Sequence, residues 1–160
     1  MDRVVVAVSI GSNLGDRQSH LRFGIYRLSR ILDDMRVSNQ RKTAPVGAAP
    51  DNIVQPDFLN AAVVGTTRLT ARRLLDALLA IEQERGRERP FPNAPRTLDL
   101  DLILYGDAVV DEPGLQVPHP RFRERRFVLE PLAEIAPNLV DPGTGRTIGD
   151  LFTAPNRDPA

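Results

Sequence analysis

At 160 residues, 41% apolar and 26% charged, the chain is the size of one globular domain with a core of its own. Its formal net charge of zero argues against general affinity for nucleic acid or membranes. Lys42 is its single lysine, which leaves little room for P-loop or Schiff-base lysine chemistry, and the absence of cysteine removes disulfides, thiolate nucleophiles and Cys-based zinc sites, as expected of an intracellular protein.

Residues 4–10 are apolar, short and without a small-residue cleavage pattern, so they predict a first strand rather than a signal peptide; no segment approaches the ~20 apolar residues of a membrane span. Residues 11–15 (GSNLG) predict a structural turn, because GxxxxGK[ST] is not met and Asp16 would repel phosphate. Asp16 can cap a helix whose apolar positions Leu21, Ile25, Leu28 and Leu32 recur at helical spacing. A second strand is expected over residues 35–42. Residues 43–56, with Pro45, Gly47, Pro50 and Pro56, predict a long, lid-like loop.

Residues 58–67 suit a strand, and Thr70 caps a second helix with Leu74, Leu75, Leu78, Leu79 and Ile81 as its buried stripe and Gly86 at its end. Residues 87–95 form a second loop, residues 95–105 a strand, and Gly106-Asp107 the turn into a hairpin partner. A short helix over residues 127–135 and a tail containing Pro and Gly complete the chain. The order strand, helix, strand, strand, helix, strand predicts a ferredoxin-like α+β fold, an antiparallel sheet backed by helices, with an extra hairpin and long active-site loops.

The densest chemical signal is PRTLDLDLILY at residues 95–105. Strand alternation points Leu98, Leu100, Leu102 and Leu104 one way and Asp99, Asp101, Ile103 and Tyr105 the other, placing the Cβ atoms of the two aspartates roughly 6.6 Å apart on one face, from which their carboxylates can converge. Two readings stand: the wet face of a half-buried strand, or a divalent-metal site that binds polyphosphate. Arg85, Arg87, Arg89 and Arg96 lie just upstream, where arginines of a phosphoryl-transfer enzyme would neutralise developing charge. Glu82 falls on the buried stripe of the second helix or at its solvated end; His119, between Pro118 and Pro120, is a structural donor or a phosphate contact. Arg125 and Phe127, two residues apart, suit a phosphate fork and an aromatic wall, or Phe127 packs in the core with part of its surface. Asn60, in an apolar strand, either bonds a neighbouring loop or reads a heterocycle with adjacent amino and oxo groups.

In order along the chain, SIGSNLGD (9–16), TAPVG (43–47), QPDFLNA (55–61), Ile81-Glu82 with GRER (86–89), PRTLDLD (95–101) and VPHP (117–120) followed by Arg125 and Phe127 resemble the 6-hydroxymethyl-7,8-dihydropterin pyrophosphokinase family of folate biosynthesis. That resemblance implies a single pyrophosphokinase domain over residues 1–160, a cytoplasmic monomer that transfers pyrophosphate from ATP to the pterin hydroxymethyl group and releases AMP. It implies that Asp99 and Asp101 hold two Mg²⁺ ions, and that Asn60, with backbone groups at Thr43, Ala44 and Val46, reads the pterin between Phe58 and Phe127. Glu82, Arg87, Arg89, Arg96, Leu102, His119 and Arg125 would contact ATP, with Arg87 and Arg96 catalytic. The chain departs from many members at Arg41, where they carry Tyr, and at Pro92-Asn93, where they carry Arg-Trp. A nucleotide- or RNA-binding module of the same fold would need exposed sheet aromatics and a basic face, whereas aromatics are 5% here and the net charge is zero. A small-molecule regulatory domain would not need paired acids beside arginines.

Overall fold

The computed structural model describes residues 2–13, 15–43, 57–85 and 98–154. Strand β1 (Val4–Ser12) lies between β4 (Phe58–Thr67) and β5 (Asp99–Tyr105), antiparallel to both, while β2 (Asp33–Val37) and β3 (Arg41–Thr43) pair along the other side of β4. With α1 (Arg17–Ser29) and α2 (Ala71–Glu84) as its crossovers, the order β2-β4-β1-β5 is the expected ferredoxin-like sheet. Both helices start where a side chain satisfies an orphan amide: Asp16 accepts from Ser19 N–H at 3.1 Å, and Thr70 from Arg73 N–H at 3.2 Å.

Alternation along the strands splits the core in two. Val6, Val8, Ile10, Leu98, Leu100 and Leu102 pack against Leu21, Leu28, Leu74, Leu78 and Ile81 of α1 and α2. On the other face Ala7, Ala62, Val64, Ile103 and Leu104 meet Val128, Leu129 and Leu132 of α3 (Arg126–Ile135) and Ile148 of α4 (Ile148–Thr153). Helices therefore lie on both faces.

Five sequence expectations need correction. Gly11 and Ser12 belong to β1, paired with Asn60 and Leu59, so the turn begins at Asn13. The strand expected over 35–42 is two strands, because Ser38 Oγ accepts the Ala62 N–H at 2.8 Å and ends the regular β2 ladder. In β5 the register against β1 slips: Val8 pairs with Leu102 and Ala7 with Leu104, leaving Ile103 as an inserted residue. Leu104 thereby turns to the α3 side and Tyr105 to the α1/α2 side, where its hydroxyl donates to Leu69 O at 2.6 Å. The hairpin is β6 (Val110–Glu112) with β7 (Leu115–Val117), reversing at Pro113-Gly114 (φ +77° at Gly114), and is not a partner of β5. Finally, the tail carries α4, whose cap Thr147 accepts from Asp150 N–H at 3.1 Å.

Candidate active site

On the α3 side of the sheet, at the margin of the part that α3 covers, the register lines up two rows across β4, β1 and β5: Asn60, Gly11, Asp99 and, one step inward, Ala62, Ser9, Asp101. The acids stay on one face because the slip at Ile103 comes after both. Asp99 and Asp101 are half-buried, and Asn60 is 4% exposed. Asn60 Nδ2 donates a short hydrogen bond to Thr43 Oγ1, which answers what a buried amide needs. Phe58 shares the Asn60 face by alternation, and Phe127, in the first turn of α3, packs against the core on that side. The Arg125 guanidinium lies 5.6 Å from the Phe127 ring centroid, within cation–π range.

The outer edge of β5 opens into a cavity of about 660 Å³ whose walls are α2, the β6–β7 hairpin and the His119-Pro120 segment. Glu82 is inward-facing at 2% exposure, and its Oε2 accepts the Leu100 N–H on that edge at 2.8 Å. Its carboxylate thus ties α2 to β5 beside the acids. Leu102 is buried among the leucines, and by alternation from Leu100 it turns its backbone groups to the same edge. Leu75 and Leu79 line the cavity; Leu79, expected in the buried stripe, is 40% exposed. The hairpin wall, residues 111–116, carries no chemical signal in the sequence that marks it as part of a site, although Pro113-Gly114 is its turn signal.

His119 is held from two sides: its N–H donates to Ile103 O at 2.9 Å and its Nδ1 accepts the Arg121 N–H at 3.2 Å. Burial first and then Arg125, with a lesser contribution from Arg121, push its pKa below the usual imidazole range, against the opposing effect of Asp99. A neutral ring with Nδ1 accepting carries its proton on Nε2, a donor suited to phosphate oxygen.

Arg41, at the root of residues 44–56, docks on α3: Nε meets Glu130 Oε1 at 2.9 Å and Nη2 meets Glu134 Oε1 at 2.6 Å, while Glu134 Oε2 accepts Asn39 N–H at 2.9 Å. The Asn39 amide and Arg41 together hold the Glu134 carboxyl below its usual pKa, against burial. Arg41 is thus an ion-pair link between the strand that bears Thr43 and the helix that bears Phe127. Arg41→Ala is expected to cost about 1 kcal/mol in urea unfolding, with the difference shrinking in high salt, as for a partly exposed pair.

Thr43, Phe58, Asn60, Glu82, Asp99, Asp101, Leu102, His119, Arg125 and Phe127 are thus gathered at one end of the sheet and its β5 edge. Ala44, Val46, Arg87, Arg89, Arg96, Pro92 and Asn93 lie outside the described residues, as does Gly86.

A family model described as 7,8-dihydro-6-hydroxymethylpterin-pyrophosphokinase (HPPK) matches residues 7–137. The chain is 42% identical over 147 residues to a 2-amino-4-hydroxy-6-hydroxymethyldihydropteridine pyrophosphokinase of Synechocystis, covering 91% of this chain and 73% of that one. It is 40% identical over 151 residues to the protein of that name from Pseudomonas aeruginosa, covering 93% and 90%. A Plasmodium falciparum HPPK-DHPS solved with pterin and p-hydrobenzoate shares the fold, with a TM-score of 0.70 at 13% identity; the match covers 94% of this chain and 44% of that longer one.

Proposed function

This chain belongs to the 7,8-dihydro-6-hydroxymethylpterin-pyrophosphokinase family, and we propose that its reaction takes place where the Asn60–Gly11–Asp99 row meets the β5 cavity. The protein transfers the pyrophosphoryl group of ATP to the hydroxymethyl group of 6-hydroxymethyl-7,8-dihydropterin, a step of folate biosynthesis. In that transfer the hydroxymethyl oxygen bonds to the β-phosphorus, the bond from that phosphorus to the α-phosphate oxygen breaks, AMP leaves, and the hydroxyl proton passes to a base.

The observation that carries the placement is the shared face. An amide able to match adjacent amino and oxo groups sits one strand away from Gly11, and a carboxylate one strand away on the other side. A planar bicycle anchored at Asn60 and the backbone of Thr43, Ala44 and Val46, between Phe58 and Phe127, would direct its hydroxymethyl arm across β1 toward Asp99 and Asp101. The nucleotide would lie along the β5 edge, its nucleoside against Leu75, Leu79 and the backbone of Leu102, and its phosphates toward the acids, His119 and Arg125. Glu82, which lines that cavity, would contact ATP there while its Oε2 holds the Leu100 amide and the edge it belongs to. Arg87, Arg89 and Arg96 complete the proposal on the family motif: Arg89 with ATP, Arg87 and Arg96 stabilising charge on the transferring phosphoryl groups.

The donor set at Asp99 and Asp101 fits magnesium. It is two hard carboxylates, and no group of three or more His, Cys, Asp or Glu among the described residues could by itself hold a metal. Magnesium favours few protein carboxylates, completing its shell with water and phosphate. Two Mg²⁺ ions bound there would supply charge neutralisation on the phosphates and a more acidic substrate hydroxyl. We read residues 1–160 as one catalytic domain acting as a cytoplasmic monomer.

The direct test is to incubate the protein with ATP, Mg²⁺ and 6-hydroxymethyl-7,8-dihydropterin and to identify the nucleotide formed. AMP is expected; ADP would overturn the assignment. Asn60→Ala is expected to raise the pterin Kd about 10- to 100-fold, the equivalent of one or two buried hydrogen bonds, with ATP affinity unchanged when each ligand is titrated alone.

A further inference from the structure

We propose that Gly11 is a positioning residue for pterin binding, acting through Asn60: the absence of a side chain at this point of β1 is what lets the Asn60 amide stand where it can bond both Thr43 and the ring. The inference rests on the reading of Asn60 as the pterin anchor.

Gly11 is not a turn glycine. It lies within β1, paired with Asn60 of β4 on one side and Asp99 of β5 on the other, and its φ is not in the left-handed region. The backbone there would accept any residue, and by strand propensity alanine would be the more stable choice by roughly 0.5–1 kcal/mol. Space is the constraint. A Cβ built on Gly11 would stand 2.7 Å from Asn60 Oδ1, closer than real Cβ contacts allow, while Leu59 O and Phe58 Cδ1 would be at 3.7 Å, ordinary contact distance.

The atom in the way is therefore a side-chain amide oxygen and nothing else nearby. That amide cannot swing aside at no cost. It is 4% exposed, and its nitrogen is engaged by Thr43 Oγ1, so moving Oδ1 away from Gly11 rotates or withdraws the whole group. Its acceptor and donor then no longer face the ligand together. Asp99 and Asp101 are on the next strand, and none of their atoms lies among the three nearest to the built Cβ. A methyl group at residue 11 should thus separate the two halves of the site, damaging the pterin half and sparing the nucleotide half.

A double-mutant cycle decides it, with pterin and ATP KM measured for the parent, Gly11→Ala, Asn60→Ala and the double variant, and with thermal melts of all four. Gly11→Ala is expected to raise the pterin KM about 10- to 100-fold, to leave the ATP KM within about twofold, and to change the melting temperature little, because the strand-propensity gain offsets the disturbed Asn60–Thr43 bond. In the Asn60→Ala background, where the crowded oxygen is gone, the same substitution should add no more than about a twofold change. An unchanged pterin KM in Gly11→Ala, or a full additive loss in the double variant, overturns the inference while the anchor role of Asn60 stands. An Asn60→Ala variant with parental pterin KM removes the anchor role, and this inference with it. If Gly11→Ala lowers the melting temperature, direct titration of folded protein with pterin and with ATP in the cold reads the same split.

Discussion

Asp99→Ala and Asp101→Ala are each expected to lower AMP formation about a thousandfold while the protein remains folded. The size follows from what the carboxylates would do in the proposed site: losing several kcal/mol of electrostatic stabilisation at the transferring phosphates corresponds to three orders of magnitude in rate. Retention of the fold follows from where they sit. Both are half-buried on the open part of the α3 face, and the alternating Leu98, Leu100 and Leu102, which fix β5 in the core, are untouched. The Leu100 amide keeps its Glu82 acceptor. Steady-state assays over a range of Mg²⁺ concentration, with a melt of each variant, test the prediction. Parental rates in both variants would take the acids out of the reaction; a collapsed melt in both would make them structural residues instead.

The acids were legible because a strand has period two and the sequence alternates without ambiguity up to Leu102. Beyond that the same pattern misled: Ile103, Leu104 and Tyr105 are all apolar or aromatic, so a one-residue slip against β1 changes which face each takes without any mark in composition. The hairpin was misplaced for a related reason. Gly106-Asp107 and Pro113-Gly114 are both good turns, and only the tertiary structure leaves the outer edge of β5 for the cavity and pairs β6 with β7.

Glu82 had two readings from sequence, and the one that prevails does so because the edge of β5 presents an amide at Leu100 that a helix carboxylate can satisfy. Gly11 belongs to a turn by sequence because Gly-Ser-Asn ordinarily is one; its role depends on contact with a residue 49 positions later, which no local pattern encodes. The short helix α4 could have been found, since Thr147 followed three residues later by Asp150 is a helix-start pattern.

The second large effect is expected far from the chemistry, at Asp141. Its side chain is fully buried and accepts from Arg123 Nε at 2.5 Å and Nη2 at 2.9 Å, from Gly143 N–H at 3.0 Å and from Thr144 Oγ1 at 2.8 Å. Arg123 lies in the 3-10 turn Phe122–Glu124, between His119 and the Arg125–Phe127 pair, so this one carboxylate fastens the site-bearing segment to the C-terminal loop. Asp141→Ala should cost about 3 kcal/mol, the low end for breaking a buried pair because the Arg123 side chain, 30% exposed, can turn to water. For a domain of this size that is a fall of roughly 6–12 °C in melting temperature.

The pH dependence has a definite sign. Burial alone would raise the Asp141 pKa, but the hydrogen bonds from Arg123, Thr144 and Gly143 outweigh it and hold the carboxyl below its ordinary value of 3.8. The folded state therefore releases this proton more readily than the unfolded state. The stabilisation is fully present above pH ~4 and is lost as pH falls through the depressed value. The stability gap between the parent and Asp141→Ala should accordingly be constant from pH 7 to 5 and close below 4. Equal melting temperatures at pH 7, or a gap that persists unchanged at pH 3, would show that the ion pair does not fasten this segment.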